Sequence, residues 1–174
     1  LDVACHAVRA DYTLPREPED LALRGLGFDN HQDYPCRIEL SGLPMSFRSE
    51  GGHYHTSIQA PAGEVSTRLC MTQEMAANGI SLPFVEKYPI YSVKDLEPVA
   101  QVFEHLQVIP TPESYASFHQ RVGHRGLAVA NGPLGATPNH LMLHDLMHMQ
   151  DFFVLYKDER DAVEAFAARL EPFY

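Results

Sequence analysis

Between Cys36 and Thr72 the chain reads CRIELSGLPMSFRSEGGHYHTSIQAPAGEVSTRLCMT. Alternation in RIEL, MSFRS and YHTSIQA is cut by Gly42-Leu43-Pro44, Gly51-Gly52 and Pro61-Ala62-Gly63. A two-residue period sends successive side chains to opposite faces of a strand, and Gly/Pro clusters mark the turns. The segment therefore predicts short antiparallel strands, with EVSTRLCMT supplying another. Within it, His53 and His55 flank Tyr54, so both imidazoles leave one face of their strand. Such a pair can ligate a metal or hydrogen-bond a polar ligand, and a hairpin can equally carry it as solvated surface. His53 and His55 are candidate substrate contacts.

The flanking sequence has a different texture. Residues 1–35 mix charges with Pro15, Pro18 and Pro35 around one short helical candidate, EPEDLALRGLG, which Pro18 suits at its start and Gly25 or Gly27 at its end. From Tyr88 onward the pattern is α/β. SVKDLEPVAQVFEHL predicts a helix capped by Ser92, with Asp95 at the third helical position and Pro98 in the first two turns. TPESYASFHQRVG predicts a helix from Thr111 to Gly123, with Pro112 at its first position. The apolar run GLAVANG reads as a buried strand stopped by Asn131-Gly132-Pro133. Residues 138–156 and the segment after Asp158 read as two further helices.

NHLMLHDLMHMQDFF places His140, His144 and His148 at four-residue intervals. On a continuous α-helix they form a polar stripe roughly 80° wide that also takes in Asp151. Met142, Leu143, Leu146, Met147, Met149, Phe153 and Val154 occupy the opposing arc. His144 and His148, one turn apart, form a candidate metal pair of the kind used in HExxH. Asp145 stands where a metalloprotease carries Glu, and one methylene less shortens its reach to a metal-bound water. A polar helix face near a cleft mouth is the plainer reading of the ladder. Asn131 and Gly132 end the buried strand, where α/β folds gather ligands. With His140 and His144 they complete the candidate substrate contacts.

Composition narrows the function classes. Thirteen Lys+Arg against 23 Asp+Glu give a formal charge of −10. Without a basic stripe in the sequence, general electrostatic binding to nucleic acid or anionic lipid is not expected. No apolar run approaches the ~20 residues that span a bilayer. Cys5, Cys36 and Cys70 are odd in number and widely spaced, which reads as reduced thiols in a cytoplasm rather than a disulfide framework.

Three stretches, taken in order, resemble the uroporphyrinogen decarboxylase-like superfamily. TSIQAPAGEVSTRL (56–69) is similar to its T-P-x-G-T-L-T hairpin. YPIYSVKDLEPV (88–99) is similar to P-[IV]-K-[ST]-x-E-D-[LY]-E, with Tyr91 where Lys is usual. Residues 132–166 are similar to its G-P…L-M…M-G-x-E-x-F-F…L-x-D-x-P-E-x-V run, with His148 in place of Gly. The resemblance implies a partial (β/α)8 TIM-type barrel with an antiparallel hairpin insert near the amino terminus. In it, residues 1–87 form a leader helix and antiparallel strands, and residues 88–174 an α/β barrel segment. Such a barrel takes ~250 residues, so the chain would be the amino-terminal portion of a larger barrel. Its open edges would require a second copy or the remaining portion.

The resemblance also implies a methyltransferase-like enzyme that moves a methyl group between a small substrate and a corrinoid or thiol acceptor. Zinc and a corrinoid partner protein would be its cofactors, with Asn131 shaping the cleft and His140 a polar contact. Tetrapyrrole decarboxylation by a uroporphyrinogen decarboxylase is the alternative, although the family's R-Q-A-G-R loop is absent from the sequence. A non-catalytic binding domain on a truncated barrel is the third reading. The family's zinc ligands fall beyond Tyr174, outside this sequence.

Overall fold

The structure, a computed structural model, describes residues 31–32, 35–80, 82–123, 128–130 and 137–174. In chain order the elements begin with β1 (His31–Gln32), β2 (Cys36–Leu40), β3 (Met45–Glu50), β4 (His53–Ala60), β5 (Gly63–Cys70) and α1 (Gln73–Ala77). There follow β6 (Phe84–Lys87), α2 (Leu96–Glu104), β7 (Leu106–Pro110), α3 (Pro112–Val122) and β8 (Val129–Ala130). The last helices are α4 (Pro138–Leu141), α5 (Met149–Asp158) and α6 (Arg160–Leu170).

The expected barrel is not what these elements build. The described strands form a four-stranded sheet, β3-β4-β5-β6, and two two-stranded sheets, β1-β8 and β2-β7, with no closed barrel among them. All pairings in the larger sheet are antiparallel. The reason lies in the connections. Two-residue turns join β3 to β4 and β4 to β5, and a tight hairpin can only return the chain antiparallel. After Tyr88 the chain does run helix–strand–helix–strand, as expected, but β7 and β8 find partners in separate sheets. The strand ending near Asn131 is thus two residues long, parallel to β1 through His31↔Val129 and Gln32↔Ala130, and not a barrel stave. Asn131, Gly132 and the leader-helix candidate at 17–27 lie outside the described residues.

The chain divides into two compact units. In the smaller, drawn from within Asp11–Glu39 and Val108–Pro133, α3 buries Phe118 and Val122 with Ala128, and the Tyr115 hydroxyl donates to the Ala128 carbonyl at 3.0 Å. Pro112 opens α3, and Gly123 ends it with φ +52°, a conformation L side chains avoid. In the larger unit one face of the four-stranded sheet is apolar: Ile58, Val65 and Leu69 are buried together with Thr56 and Thr67. Helix α2 packs against β4 and β5 on one side and α6 on the other. Leu96, Pro98, Val99, Ala100, Val102 and Phe103 are accordingly all buried, as a helix enclosed on both sides requires. The Asp95 carboxylate accepts from the Tyr91 and Ser92 backbone N–H groups at 3.0 and 2.8 Å, which fixes the entry to α2 as its sequence predicts.

One side of α2 stays polar, where Glu97, Gln101 and Glu104 succeed one another along the helix. Arg169 of α6 reaches Glu97 at 2.6 Å and Glu104 at 2.7 Å. The hydrogen bond from Arg169 holds the Glu97 carboxyl below its ordinary range. A carboxyl depressed by folding stabilises the native state above its unfolded value of 4.5, and that contribution fades as pH falls through the native value. Arg169→Met should therefore cost stability at neutral pH and flatten the loss of stability below pH 4.5 relative to the parent, measured by urea unfolding across an acid series.

Two buried hydroxyls, Thr56 Oγ1 and Thr67 Oγ1, have no hydrogen-bond partner among the described residues, and they face each other across β4 and β5. An unpaired buried hydroxyl costs roughly 1–3 kcal/mol, whereas Val fills the same space without it. Thr67→Val should raise unfolding stability by about 1 kcal/mol, while Phe103→Ala should lower it by about 3–5 kcal/mol. Denaturant midpoints of the two variants check both signs.

Candidate functional site

The other face of the four-stranded sheet is polar, and its chemistry follows from register. Cross-strand partners point the same way, so residues on this face fall into rows. One row runs Glu50, His53, Cys70, Phe84 and the next Arg48, His55, Arg68, Lys87. A third runs Ser46, Ser57, Ser66. Between Arg68 and Leu69 the ladder to β6 slips, pairing Arg68 with Lys87 and Leu69 with Val85. Glu86 is the extra residue of that bulge. A bulge leaves its added residue unpaired in the ladder and can re-aim its side chain. Here the Glu86 carboxylate turns onto the polar face, where Oε2 lies 2.8 Å from Arg68 Nε and 3.1 Å from His53 Nδ1.

Glu86 thereby joins His53 and Cys70. A ring nitrogen of His53, Sγ of Cys70 and a carboxylate oxygen of Glu86 all lie within 4.8 Å of one another, and all three residues are half-buried. Tetrahedral zinc, with bonds of about 2.0–2.3 Å, holds its donors roughly 3.3–3.8 Å apart. The separation of His53 from Glu86, 3.1 Å, is already in that neighbourhood, and Cys70 Sγ lies no more than 4.8 Å from either donor. Imidazole, thiolate and carboxylate together are a donor set suited to zinc. Arg68 stands behind the carboxylate as an outer hydrogen-bond partner that orients a ligating group.

A cleft of about 640 Å³ opens over His53 and Glu86, lined by Arg48, Glu50, His53, His55, Arg68 and Glu86 together with the Gly51 turn. Both sequence-predicted histidines of β4, His53 and His55, thus face one cavity. Cys36 and Cys70 are free thiols.

The ladder at 140–148 has a different backbone from a continuous helix. After α4 the chain forms a π-helical turn over Met142–Leu146, closed by a bond from Met147 N–H to the Met142 carbonyl. Met147 is then extended, and α5 starts afresh. His140 and His144 remain together, their rings 4.3 Å apart and tilted by 34°. His148 is separated from them as the N-cap of α5: its Nδ1 accepts from the Gln150 N–H at 3.3 Å, and its ring meets Tyr88 edge-on at 6.2 Å. Burial, then the charge of Asp145 and the neighbouring Tyr91, push the Tyr88 phenol above its ordinary value. Among the described residues, the ligand cluster of three includes neither His144 nor His148. Met149, Phe153 and Val154, placed by sequence on the apolar arc, are exposed.

Cys70 and Glu86 escaped the sequence reading. Cys70 had a usable signal: counting seven residues outward from the Ala60↔Gly63 pair brings His53 opposite Cys70. Glu86 had none, because its place depends on the bulge. Searches of protein-family models, curated proteins and solved structures found no match to this chain.

The turn that carries His53 leaves little room for change. Gly51 and Gly52 have φ of +58° and +84°, the pair of positive values that a type I′ hairpin turn requires. A Cβ on Gly52 would lie 2.8 Å from the Met71 carbonyl oxygen. Gly52→Ala should lower stability by more than about 1 kcal/mol, beyond the ordinary effect of Ala for Gly at a compatible site. Denaturant unfolding reads the loss, and Gly79→Ala, at positive φ but with nothing within 4 Å of its Cβ, isolates the contribution of the clash.

Proposed function

We propose that this protein binds zinc on the polar face of its four-stranded sheet through His53, Cys70 and Glu86, with the metal facing the Arg48 cleft. The observation that carries the reading is the convergence of three different donor atoms, from β4, β5 and the β6 bulge, within 4.8 Å. Three protein ligands leave a fourth position for water or a small molecule, the arrangement that separates reactive zinc sites from closed structural ones. Zinc at such a position acts as a Lewis acid, and can acidify a bound water or polarise a bound oxyanion. His53 and Glu86 would exchange their mutual contact for the metal, Cys70 would bind as thiolate, and Arg68 would keep Glu86 oriented. Methyl transfer and tetrapyrrole decarboxylation, implied by motif order in the sequence, draw their support from that order alone.

Titration with Co²⁺ tests the ligand set directly. One equivalent should bind and produce a thiolate-to-cobalt charge-transfer band, which Zn²⁺ displaces. Cys70→Ser should abolish the band, and Glu86→Gln should weaken metal binding by about 10- to 100-fold or more, at or above the effect of losing an outer-shell partner. Circular dichroism of each variant reports that the sheet persists. Stoichiometric binding without the band, or an unchanged band in Cys70→Ser, would overturn the assignment.

A further inference from the structure

We infer that the cleft beside His53 and Glu86 takes a phosphoryl oxyanion, as inorganic phosphate or as the end of a small phosphate monoester. The inference rests on the zinc reading for one contact and on a separate feature, the cationic row, for the others. Arg48, His55, Arg68 and Lys87 are successive cross-strand partners on one face. With strands about 4.8 Å apart, the row runs roughly 14 Å across the sheet. Arg68 and Lys87 are like charges directly opposite each other, which destabilises a sheet unless something compensates them. Lys87 donates to the Ser66 hydroxyl, and Arg68 commits Nε to Glu86. Arg48 and His55 have no hydrogen-bond or ion-pair partner among the described residues, and both line the cleft. The cleft sets Arg48 and Arg68 beside Glu50 and Glu86, and because Glu86 is taken up by Arg68 and His53, Arg48 is left as the lining arginine without a partner among the described residues.

The spacing selects the anion. Arg48 on β3 and Arg68 on β5 stand two strands apart with His55 of β4 between them, and the metal lies in the neighbouring row, a spread too wide for the two coplanar oxygens of a carboxylate to meet together. A tetrahedral phosphoryl group presents oxygens in several directions, and can reach Arg48, the terminal nitrogens of Arg68 and the metal at once. Glu50 lies across from His53 and repels an anion there, which confines it to the Arg48–Arg68 side.

Calorimetry with inorganic phosphate, methyl phosphate and acetate, on zinc-loaded and metal-free protein, tests this. Phosphate or methyl phosphate should bind the zinc-loaded protein at least tenfold more tightly than acetate. The better of the two identifies free phosphate or a monoester as the ligand. Arg48→Ala should weaken phosphate binding by roughly tenfold or more, the loss expected for one charge-assisted contact. Its cobalt band and zinc affinity should stay unchanged, and Arg48→Lys should restore part of the loss. Equal binding of acetate, or phosphate affinity indifferent to Arg48 in both zinc-loaded and metal-free protein, would overturn the inference. Failure of the zinc reading is separate: it appears as a missing cobalt band, while Arg48-dependent phosphate binding to metal-free protein would leave the row as the anion site.

Discussion

The register of one hairpin governs everything on the polar face. Strands β4 and β5 pair without a slip from Ala60↔Gly63 to His53↔Cys70. Because the side-chain period of a strand is two, a shift by one residue would exchange the faces. Slipping β5 by one residue against β4 would turn Val65, Thr67 and Leu69 to solvent and drive Arg68 and Cys70 against α2, on the opposite face from His53 and His55. The cost of burying those polar groups and exposing the apolar ones makes the slipped pairing untenable. The same burial that builds the core therefore aligns the candidate ligands, although none of them contributes to it.

Helix α2 is the counterpart of that sheet face. It has little free surface, since it is covered by β4 and β5 on one side and by α6 on the other. Its remaining polar edge is tied down by Arg169, which bridges Glu97 and Glu104. These pairs are exposed and contribute little energy individually. Their geometric effect is to set the position of α6 along α2, so that Val163, Phe166 and Leu170 join the same cluster as Val99 and Phe103. Rigidity behind the sheet matters for the opposite face, where ligand atoms on three strands must hold their spacing.

Local rules were legible and partnerships were not. Alternation located β4 and β5, whose burial does alternate, and the Gly51-Gly52 turn located β3, which is exposed along its whole length but paired to β4 by that hairpin. Asp95 at the start of α2 and Gly123 at the end of α3 acted through bonds and torsions within a few residues. The barrel failed at the next level. Helix–strand alternation after Tyr88 says nothing of which strand each one joins, and β7 and β8 pair with strands far earlier in the sequence. The histidine ladder failed for a related reason. Its four-residue spacing carries meaning only on an unbroken α-helix, and tertiary packing of Met142, Leu146 and Met147, all fully buried, accompanies a π-turn and a bend there. Ile90 completes that arrangement by donating its N–H to the Leu146 carbonyl at 3.0 Å. Of the predicted contacts, His53 and His55 share a cavity because they belong to a strand whose register is local.

Glu86 links the two proposals on the polar face through charge. In its present arrangement it serves two hydrogen-bonding neighbours at once, Arg68 and His53. A dication in place of the contact with His53 would draw the carboxylate's charge toward the metal and leave Arg68 less compensated. Arg68 would then add its attraction to that of Arg48 for any anion in the cleft. Metal and oxyanion would each neutralise what the other leaves exposed, so their binding would be positively coupled by linkage. Reciprocity follows without further structure: whatever factor zinc adds to phosphate affinity, phosphate must add to zinc affinity. Under the two proposals, unpartnered Arg48 and the opposed Arg68–Lys87 pair would form one half of a site whose other half is the His53–Cys70–Glu86 cluster.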